Sequence, residues 1–457
     1  MNSWSLVYED FNPEQQGLRE ALCTLGNGYF ATRGARPEAT ADNVHYPGTY
    51  LAGGYNRLKT EIAGRVIENE DLVNFPNWLS LTFRIDGENW FDLMAVDILS
   101  YRQELDLAQG VLFHTIRFQD KKGRRTSLRS RRLVHMRDPH YAALELRLKA
   151  ENWSGPMEIC TALDGRVVNA GVERYRNLNN KHLDFIEEDV FDDECLFLKV
   201  QTNQSRLYMA QTARTRVFRG QELLAPKRSV LSEPGYIGQQ FTAEMNRDEE
   251  VVIEKVISLF TSGDRAISEC GLEAKKAIRR VGGFDDLLKS HLQAWKHIWR
   301  LFDIEIDFDG DEDGNEKSMI LRLHLFHLLQ TASLITMDLD VGVPARGWHG
   351  EAYRGHIFWD EMFVFPLLNF RVPEITRELL QYRYRRLNEA RVAAKEAGYR
   401  GAMYPWQSGS SGREESQELH LNPKSGRWIP DNTHLQRHVN ATIAYNVWQY
   451  YQATLDT

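Results

Sequence analysis

A pair of adjacent acids, Asp360 and Glu361, lies in a segment of the sequence that otherwise has the composition of a protein core. The pair follows Trp359 inside RGHIFWDEMFVFPLL, residues 354–368, where most other positions are Ile, Phe, Met, Val or Leu. Burying a carboxylate without a partner costs several kcal/mol. The segment therefore predicts that each acid meets either an ion-pair partner or a polar ligand.

A second pair of acids, Glu414 and Glu415, lies in a long polar segment, residues 399–440, with little regular patterning. Such a loop inside a compact domain is usually functional or disordered. Disorder fits poorly, because the segment carries aromatic residues such as Trp406 and Trp428. Its many Asn, Gln, His, Arg and Glu residues predict one wall of a pocket for a polar ligand.

Carboxyl groups beside Trp residues suit the cleavage of a glycosidic bond. One carboxylic acid protonates the departing oxygen, and a second group assists the nucleophile. A Glu in a partly dry, Trp-lined pocket has a raised pKa and can hold that proton near neutral pH. Spacing alone leaves ordinary ion pairs as the alternative. The 11 Trp, 18 Tyr and 21 Phe residues fit stacking on sugar rings, but they also fit a large aromatic core.

Length and charge narrow the classes of protein. A chain of 457 residues predicts two or three domains. The net charge of −8 argues against nucleic acid or an anionic membrane as partner, since both select for a basic surface. No apolar run reaches the roughly 18 residues that cross a bilayer, and the first residues lack a signal-peptide pattern. We expect a cytoplasmic protein whose cysteines are reduced, buried thiols; these are Cys23, Cys160, Cys195 and Cys270.

Sequence patterning predicts a β-rich part over residues 1–263. Short runs alternate apolar and polar residues and are separated by Gly, Asn and Asp clusters, which is typical of an antiparallel β-sandwich. The clearest runs are WLSLTFRIDG (78–87), GVLFHTIRFQD (110–120), HYAALELRLKA (140–150), LFLKVQ (196–201) and EVVIEKVISLF (250–260).

Residues 264–316 are predicted to form a helical linker that ends in an acidic loop, DFDGDEDGNEK (307–317). The loop resembles a calcium-binding loop, but its twelfth position is Ile320 where a bidentate Glu is required. We predict a solvated connector. His324 and His327 lack a third candidate ligand nearby in the sequence, so no metal site is predicted.

From residue 317 onward the spacing of apolar residues is helical. Helices are predicted over 317–336, 373–398 and 433–454, with Gly398 as the C-cap of the second. The chain reaches residue 457 after four or five such helices, fewer than a closed helical layer needs. We therefore expect these residues to belong to a longer protein.

Taken together, these motifs resemble glycoside hydrolase family 65, the group of maltose, trehalose and kojibiose phosphorylases and related hydrolases. The motifs follow the family's order over most of the chain: LGNGYFATRG (25–34), LVNFPNWLSLTFRIDG (72–87), GHIFWDEMFVFPLL (355–368), AMYPWQS (402–408), GREES (412–416) and RHVNATIAYNVWQYY (437–451). The resemblance implies an N-terminal antiparallel β-sandwich, a helical linker and a truncated (α/α)6 toroid, with residues 317–457 forming the first part of the toroid.

The same resemblance implies a reaction. An α-glucosidic bond of a glucose disaccharide would be cleaved with inversion by inorganic phosphate, giving β-glucose 1-phosphate, with no other cofactor. Glu414 would be the general acid, with Glu415 as second choice, and Trp359 and Asp360 would bind the glucosyl unit. Further residues predicted to bind substrate are Tyr353, His356, Trp406, Arg427, Trp428, Gln436 and Arg437, with Asp431 and His434 in the same loop.

Two alternatives remain open. A hydrolase of the same architecture would use a second carboxylate to activate water; that base, or the phosphate site, is expected beyond Thr457, so the acids present do not decide. A non-catalytic carbohydrate-binding protein would bind sugar through the sandwich alone. Because family members commonly dimerise, a homodimer is also expected. A half-built toroid would expose apolar surface, so we expect this chain alone to aggregate or to need a partner.

Overall fold

The computed structural model describes residues 3–306, 314–422 and 424–456. Most of the acidic loop predicted at 307–317 therefore lies outside the described residues. Nineteen described strands precede the helical part. They are β1 (Ser5–Tyr8), β2 (Leu25–Gly26), β3 (Phe30–Thr32), β4 (Thr49–Leu51), β5 (Tyr55–Ile62), β6 (Arg65–Leu72), β7 (Leu81–Ile85), β8 (Asp97–Asp106), β9 (Val111–Gln119), β10 (Arg125–Val134), β11 (Tyr141–Ala150), β12 (Gly155–Asp164), β13 (Leu183–Phe191), β14 (Cys195–Thr202), β15 (Tyr208–Arg219), β16 (Glu222–Leu224), β17 (Arg228–Glu233), β18 (Tyr236–Met245) and β19 (Glu250–Thr261).

Two antiparallel sheets form the predicted sandwich. The larger sheet has the order β1-β8-β9-β10-β11-β19-β15-β14-β13, with β16 beside β15, and the smaller has the order β17-β18-β12-β7. Strands β12 and β18 of the smaller sheet contact β14 and β15 of the larger. Apolar residues from both sheets, such as Phe83, Ile159, Leu198 and Ile253, share one buried core. The alternating pattern of the sequence thus corresponds to strands with one buried face.

A separate hairpin, β5–β6, leaves the sandwich and reaches the helical part. We call it the 55–72 hairpin. Its turn residues Ala63 and Gly64 have φ angles of 49° and 74°, as a tight two-residue hairpin turn requires. Arg57 pairs with Glu70 across the two strands. Successive side chains of a strand point to opposite faces, so Glu68 and Glu70 lie on one face of β6 and Asn69 and Asp71 on the other.

The helices are α1 (Gln16–Leu22), α2 (Cys270–Arg280), α3 (Phe284–Phe302), α4 (Gly314–Thr331), α5 (Glu361–Arg371), α6 (Pro373–Arg385), α7 (Leu387–Glu396) and α8 (Val439–Thr454). Helix α2 packs on β15 and β19. Trp295 of α3 stacks on Phe326 of α4 with ring centroids 4.7 Å apart, and both side chains belong to the sandwich core. The β part and the helical part therefore share one continuous core.

Three sequence predictions about helices need correction. The helix predicted over 373–398 is broken at Arg386, which has φ −101° and ψ 11° and whose guanidinium binds Asp340 and the carbonyl of Ser410. The helix predicted over 317–336 continues only as a short 3-10 turn after Thr331, and α8 begins at Val439 rather than at residue 433. The irregular segment 399–440 also contains a hairpin, β20 (Leu419–Asn422) and β21 (Arg427–Pro430). Gly398, at φ 80°, ends α7 as predicted.

Among the described residues, one segment, Gly314–Asp338, is apolar and long enough to cross a membrane by length and composition alone. Its mean hydropathy is 1.2, and 61% of the apolar window is buried inside the protein. The core helix of a soluble protein passes the same criterion, so this is weak evidence for a membrane span. The four cysteines are free and buried, as predicted.

Candidate active site

A cavity of about 440 Å³ lies between the loop that precedes α5, the polar segment 399–440 and the sandwich. A volume in this range is typical of sites for small ligands. We call it the Trp359 cavity. It is lined by Tyr175, Ala345, Arg346, Tyr353, Arg354, Phe358, Trp359, Asp360, Trp406, Gln407, Glu415, Gln417, His420, Asp431 and Thr433.

Aromatic rings form one wall of the Trp359 cavity. The rings of Trp359 and Trp406 have centroids 6.4 Å apart with an interplanar angle of 35°. His438 packs against both rings, at 5.2 Å and 4.7 Å, and Phe358 meets Trp406 edge-on at 5.6 Å. The polar segment and the start of α5 are thus joined by ring contacts, which present apolar faces beside polar groups.

Asp360 immediately precedes α5, and its half-buried carboxylate lines the Trp359 cavity. Burial raises the pKa of this carboxyl above its usual value. Within the described part of the chain, the carboxylate has no hydrogen bond or ion pair to another residue. Asp360 also lines a second cavity of about 1460 Å³ between the sandwich, α4 and α5. Its oxygens are therefore available to a ligand.

Glu361, by contrast, is part of the protein's own packing. Its side chain is buried and its carboxylate lies 3.1 Å from the guanidinium of Arg383, which is also buried. The amide N–H of Val343 donates a further hydrogen bond to it. Burial raises the pKa of Glu361, although Arg383 acts in the opposite direction. The two adjacent acids of the opening motif thus have different environments.

The carboxylate of Glu414 is held by the backbone of its own loop. It accepts hydrogen bonds from the N–H groups of Trp406 (2.7 Å), Gln407 (3.2 Å) and Ser416 (3.0 Å). All three partners are N–H donors, so the carboxylate acts as an acceptor. Glu414 is not among the residues that line the Trp359 cavity. The geometry closes the 406–417 loop on itself.

Glu415 lines the Trp359 cavity and is held from the other side by the 55–72 hairpin. Both its oxygens accept hydrogen bonds from Arg57 of β5, at 2.6 and 2.9 Å. Arg413 contributes a third contact at 3.1 Å. Only 3% of the Glu415 side chain is exposed. Burial by itself lowers the pKa of Arg57, but the hydrogen bond to Glu415 and the charges of Glu415, Glu70 and Glu68 together raise it above its usual value.

Two other predicted residues close to the motif differ in placement. Tyr353 lines the Trp359 cavity, and its φ of 54° is in the left-handed region, which is uncommon for a residue with a side chain. His356 is fully buried. Its ring lies between the carbonyl of Glu70 (2.9 Å) and the side chain of Gln407 (3.2 Å), so it joins elements behind the cavity and does not line it.

The remaining residues predicted to bind the substrate do not all lie at the Trp359 cavity. Asp431 lines the cavity, and the indole of Trp428 donates to the carbonyl of Ala63 at the tip of the 55–72 hairpin. The other predicted residues of this loop do not line the cavity, and of these Arg427, Gln436 and Arg437 are exposed. These other residues are Arg427, His434, Gln436 and Arg437.

Several cavity residues carry no signal in the sequence. Tyr175 comes from a sandwich loop, and Arg346, Gln417 and His420 come from segments with no motif of their own. Gln417 and His420 lie inside the polar segment 399–440, so its composition indicated their neighbourhood but not their positions. Tyr175 lies far from the other lining residues in the chain, and only tertiary structure brings it there.

A β-sandwich continued by packed helices, with a cavity lined by aromatic rings and carboxylates between them, defines the architectural class of this protein. Comparison with known proteins agrees. The profile of the glycosyl hydrolase family 65 N-terminal domain matches residues 6–298, and that of the family's central catalytic domain matches residues 322–457. The chain belongs to glycosyl hydrolase family 65.

Relatives share the sequence along nearly its whole length. An uncharacterized glycosyl hydrolase of Mycobacterium tuberculosis is 46% identical over 453 residues, covering 99% of this chain and 34% of the relative. A trehalose 6-phosphate phosphorylase of Lactococcus lactis is 33% identical and a kojibiose phosphorylase of Halothermothrix orenii is 30% identical; each alignment covers 99% of this chain and 56% of the relative. The chain thus spans between a third and a little over half of these relatives.

A solved structure supports the fold. A human-microbiome protein provisionally described as a kojibiose phosphorylase superposes with a TM-score of 0.82 at 20% identity. The match covers 99% of this chain and 56% of that one. At this identity the likeness bears on the fold alone, and it agrees with a β-sandwich followed by the helices of the family's toroid.

Proposed function

We propose that this chain is part of an enzyme that cleaves an α-glucosidic bond of a glucose disaccharide by transfer of the glucosyl unit to inorganic phosphate. The observation that carries the proposal is the convergence of Trp359, Trp406 and the carboxylate of Asp360, which has no ion-pair partner among the described residues, on one cavity. Relatives named as kojibiose phosphorylase and trehalose 6-phosphate phosphorylase support the same class of reaction.

The cavity suits a sugar for physical reasons. The C–H face of a pyranose packs on an aromatic ring, and Trp359 and Trp406 supply such rings. Hydroxyl groups of the sugar would donate to the half-buried carboxylate of Asp360, and hydrogen bonds to a charged acceptor are stronger than those to a neutral one. Tyr353 and Gln417 add polar groups around the same space.

In the proposed reaction the bond between the anomeric carbon and the bridging oxygen breaks as a phosphate oxygen attacks the opposite face of that carbon. A carboxylic acid gives its proton to the departing oxygen. The products are β-glucose 1-phosphate and a free sugar. The family motif nominates Glu414 for the acid and Glu415 as the alternative; of the two, Glu415 lines the cavity.

We propose the domain division 1–263 for the sandwich, 264–316 for the helical linker and 317–457 for the first part of the toroid. The two family profiles leave a gap between residues 298 and 322, which contains the end of the proposed linker. A cytoplasmic location, a homodimer and the absence of any cofactor besides phosphate remain predictions.

The proposal is tested with the protein purified from its source at its native length. Its mass is measured first, and kojibiose, trehalose, trehalose 6-phosphate and maltose are then assayed with and without inorganic phosphate. Release of glucose 1-phosphate that requires phosphate is the expected result. Phosphate-independent release of glucose would instead identify a hydrolase of the same family.

The alternative of a non-catalytic carbohydrate-binding protein is tested with the same purified protein. If the sandwich alone bound the sugar, Asp360→Ala would leave the sugar affinity unchanged in calorimetric titration. We expect this variant to lose binding, because Asp360 lies in the helical part and lines the cavity.

A further inference from the structure

We infer that the 55–72 hairpin of the sandwich is a working part of the site, and that Arg57 is the positioning residue that holds the 406–417 loop, and with it Trp406 and Glu415, against the Trp359 cavity. This inference rests on the proposed function of that cavity. Arg57 itself does not line the cavity, and it acts through Glu415, with which it makes two hydrogen bonds.

The hairpin contacts the loop at four separate points. Besides Arg57 with Glu415, Glu68 accepts a hydrogen bond from Arg413 at 2.7 Å. Both carboxylate oxygens of Glu70 bind Ser410, one through its N–H at 2.8 Å. The side chain of Gln417 donates to Asn69. The contacts of Glu68, Asn69 and Glu70 come from successive residues of β6, so this strand runs beside the loop.

The opposite end of the cavity is tied to the same hairpin. Asp71 forms an ion pair with Arg354, which lines the cavity and lies beside Tyr353. The hydroxyl of Tyr55 donates to the carbonyl of Gly355 at 2.5 Å. Arg354, like Tyr353, has a left-handed φ, of 57°. A backbone conformation of this kind persists only where surrounding contacts enforce it, and the hairpin supplies those contacts.

Arg57 is the central contact between hairpin and loop because three carboxylates surround its positive charge. The carboxylates of Glu68, Glu70 and Glu415 all lie within 3.4 Å of its guanidinium nitrogens. Arg413, which is itself half-exposed, pairs with Glu68 and Glu415 but not with Glu70, so it cannot replace Arg57. Removing one partner of a nearly buried pair leaves an uncompensated charge. Like charges would then separate the loop from the hairpin.

The close approach of loop and hairpin is also visible in the backbone. A Cβ atom at Gly409 would lie 1.8 Å from a carboxylate oxygen of Glu70. Only glycine fits there without moving that carboxylate or the loop. Gly409→Ala therefore disturbs the same contact from the loop side and provides a second, independent variant.

The inference is tested in the native-length protein by hydrogen–deuterium exchange of residues 406–417 and by steady-state kinetics of phosphorolysis. Arg57→Ala should speed exchange in this loop and lower kcat/KM by about 10- to 100-fold, the range expected when a wall of a site shifts by about 1 Å. Arg57→Lys should recover part of the loss, since lysine keeps the charge but cannot make the two-point contact. Gly409→Ala should resemble Arg57→Ala.

The matched control is Arg131→Ala. Arg131 binds both oxygens of Glu145 at 2.8 Å, in a half-buried pair on the larger sheet and away from the cavity. It should change neither loop exchange nor kcat/KM. Unchanged exchange in Arg57→Ala, or faster exchange with unchanged kcat/KM, overturns the inference. A wild-type protein without sugar phosphorolysis instead rejects the proposed function, and sugar-free loop exchange then decides by itself whether Arg57 holds the loop.

Discussion

The carboxylate of Glu361 lies 3.1 Å from the guanidinium of Arg383, and both side chains are buried. Its neighbour Asp360 has no such partner among the described residues and lines the Trp359 cavity. One acid therefore stabilises the start of α5, and the other is left for a ligand. The two residues of one motif should respond differently to substitution.

Glu361→Ala should lower the free energy of unfolding by about 3–5 kcal/mol, because it leaves the buried charge of Arg383 uncompensated. Denaturant unfolding followed by circular dichroism measures the change. Glu374→Ala, at the start of the neighbouring helix α6 and without a buried ion pair, is the control and should stay within about 0.5 kcal/mol. Equal stability of the two variants would contradict the structural role of Glu361.

Asp360→Asn should abolish sugar binding and leave the melting temperature within a few degrees of the wild type. The amide keeps the size of the side chain, but it replaces a charged acceptor of sugar hydroxyls with a weaker, neutral one. Binding is measured by quenching of tryptophan fluorescence, since Trp359 and Trp406 line the same cavity as the carboxylate. Wild-type affinity in this variant would remove Asp360 from the site.

Glu414→Gln tests whether Glu414 acts as the general acid or holds the 406–417 loop through hydrogen bonds. A glutamine keeps one carbonyl oxygen and places an NH2 group against N–H donors, so the 406–417 loop loses at least one hydrogen bond. We expect activity on both a glucose disaccharide and α-glucosyl fluoride to fall by a similar factor, about 100-fold. The fluoride leaves without protonation. Loss with the disaccharide alone would establish Glu414 as the general acid.

Glu351 should make stability fall as pH rises towards neutrality. Burial raises the pKa of this carboxyl to about 7, although hydrogen bonds from Tyr46, the N–H of Gly171 and Tyr50 act in the opposite direction. Below the pKa of this carboxyl in the unfolded state, it is protonated in both the folded and the unfolded state, and its full contribution to the free energy of unfolding is present. It is lost between about pH 4.5 and 7, and amounts to about 3 kcal/mol.

The measurement is the free energy of unfolding at pH 5 and pH 8 for the wild type and Glu351→Gln, whose amide imitates the protonated acid. The variant should lose most of the difference between the two pH values. A difference as large as that of the wild type would show that other groups cause it.

An exposed apolar surface on α5 and α8 should make the polypeptide of these 457 residues self-associate. Phe370 is 83% exposed, Phe363 66% and Trp448 54%. Large exposed apolar side chains on two packed helices favour association, because burying them removes apolar area from water. Light scattering after gel filtration measures the association. Phe370→Ser combined with Trp448→Ser should reduce it, whereas Met94→Ser, which alters an exposed apolar residue of the sandwich, should not.

Local patterns in the sequence were sufficient to predict much of the fold. The five strands read from alternation coincide with β7, β9, β11, β14 and β19 to within a few residues, because burial of one face of a strand depends on a period of two along the chain. Gly398 ended a helix as predicted, because few other residues adopt a left-handed φ without strain. The break at Arg386 could not be predicted, since it depends on Asp340 and Ser410, which are distant in sequence.

For the site, the sequence by itself determined the chemical types and their segments: Trp and Asp ahead of α5, and two Glu residues in a long polar loop. Tertiary structure alone decided which of these side chains face one cavity. It turned Glu361 towards Arg383, Glu414 towards its own backbone and Glu415 towards Arg57. Adjacent residues point in different directions. The partner lies 22 residues away for Glu361, at most 8 for Glu414 and 358 for Glu415, and spacing along the chain does not encode which of these is chosen.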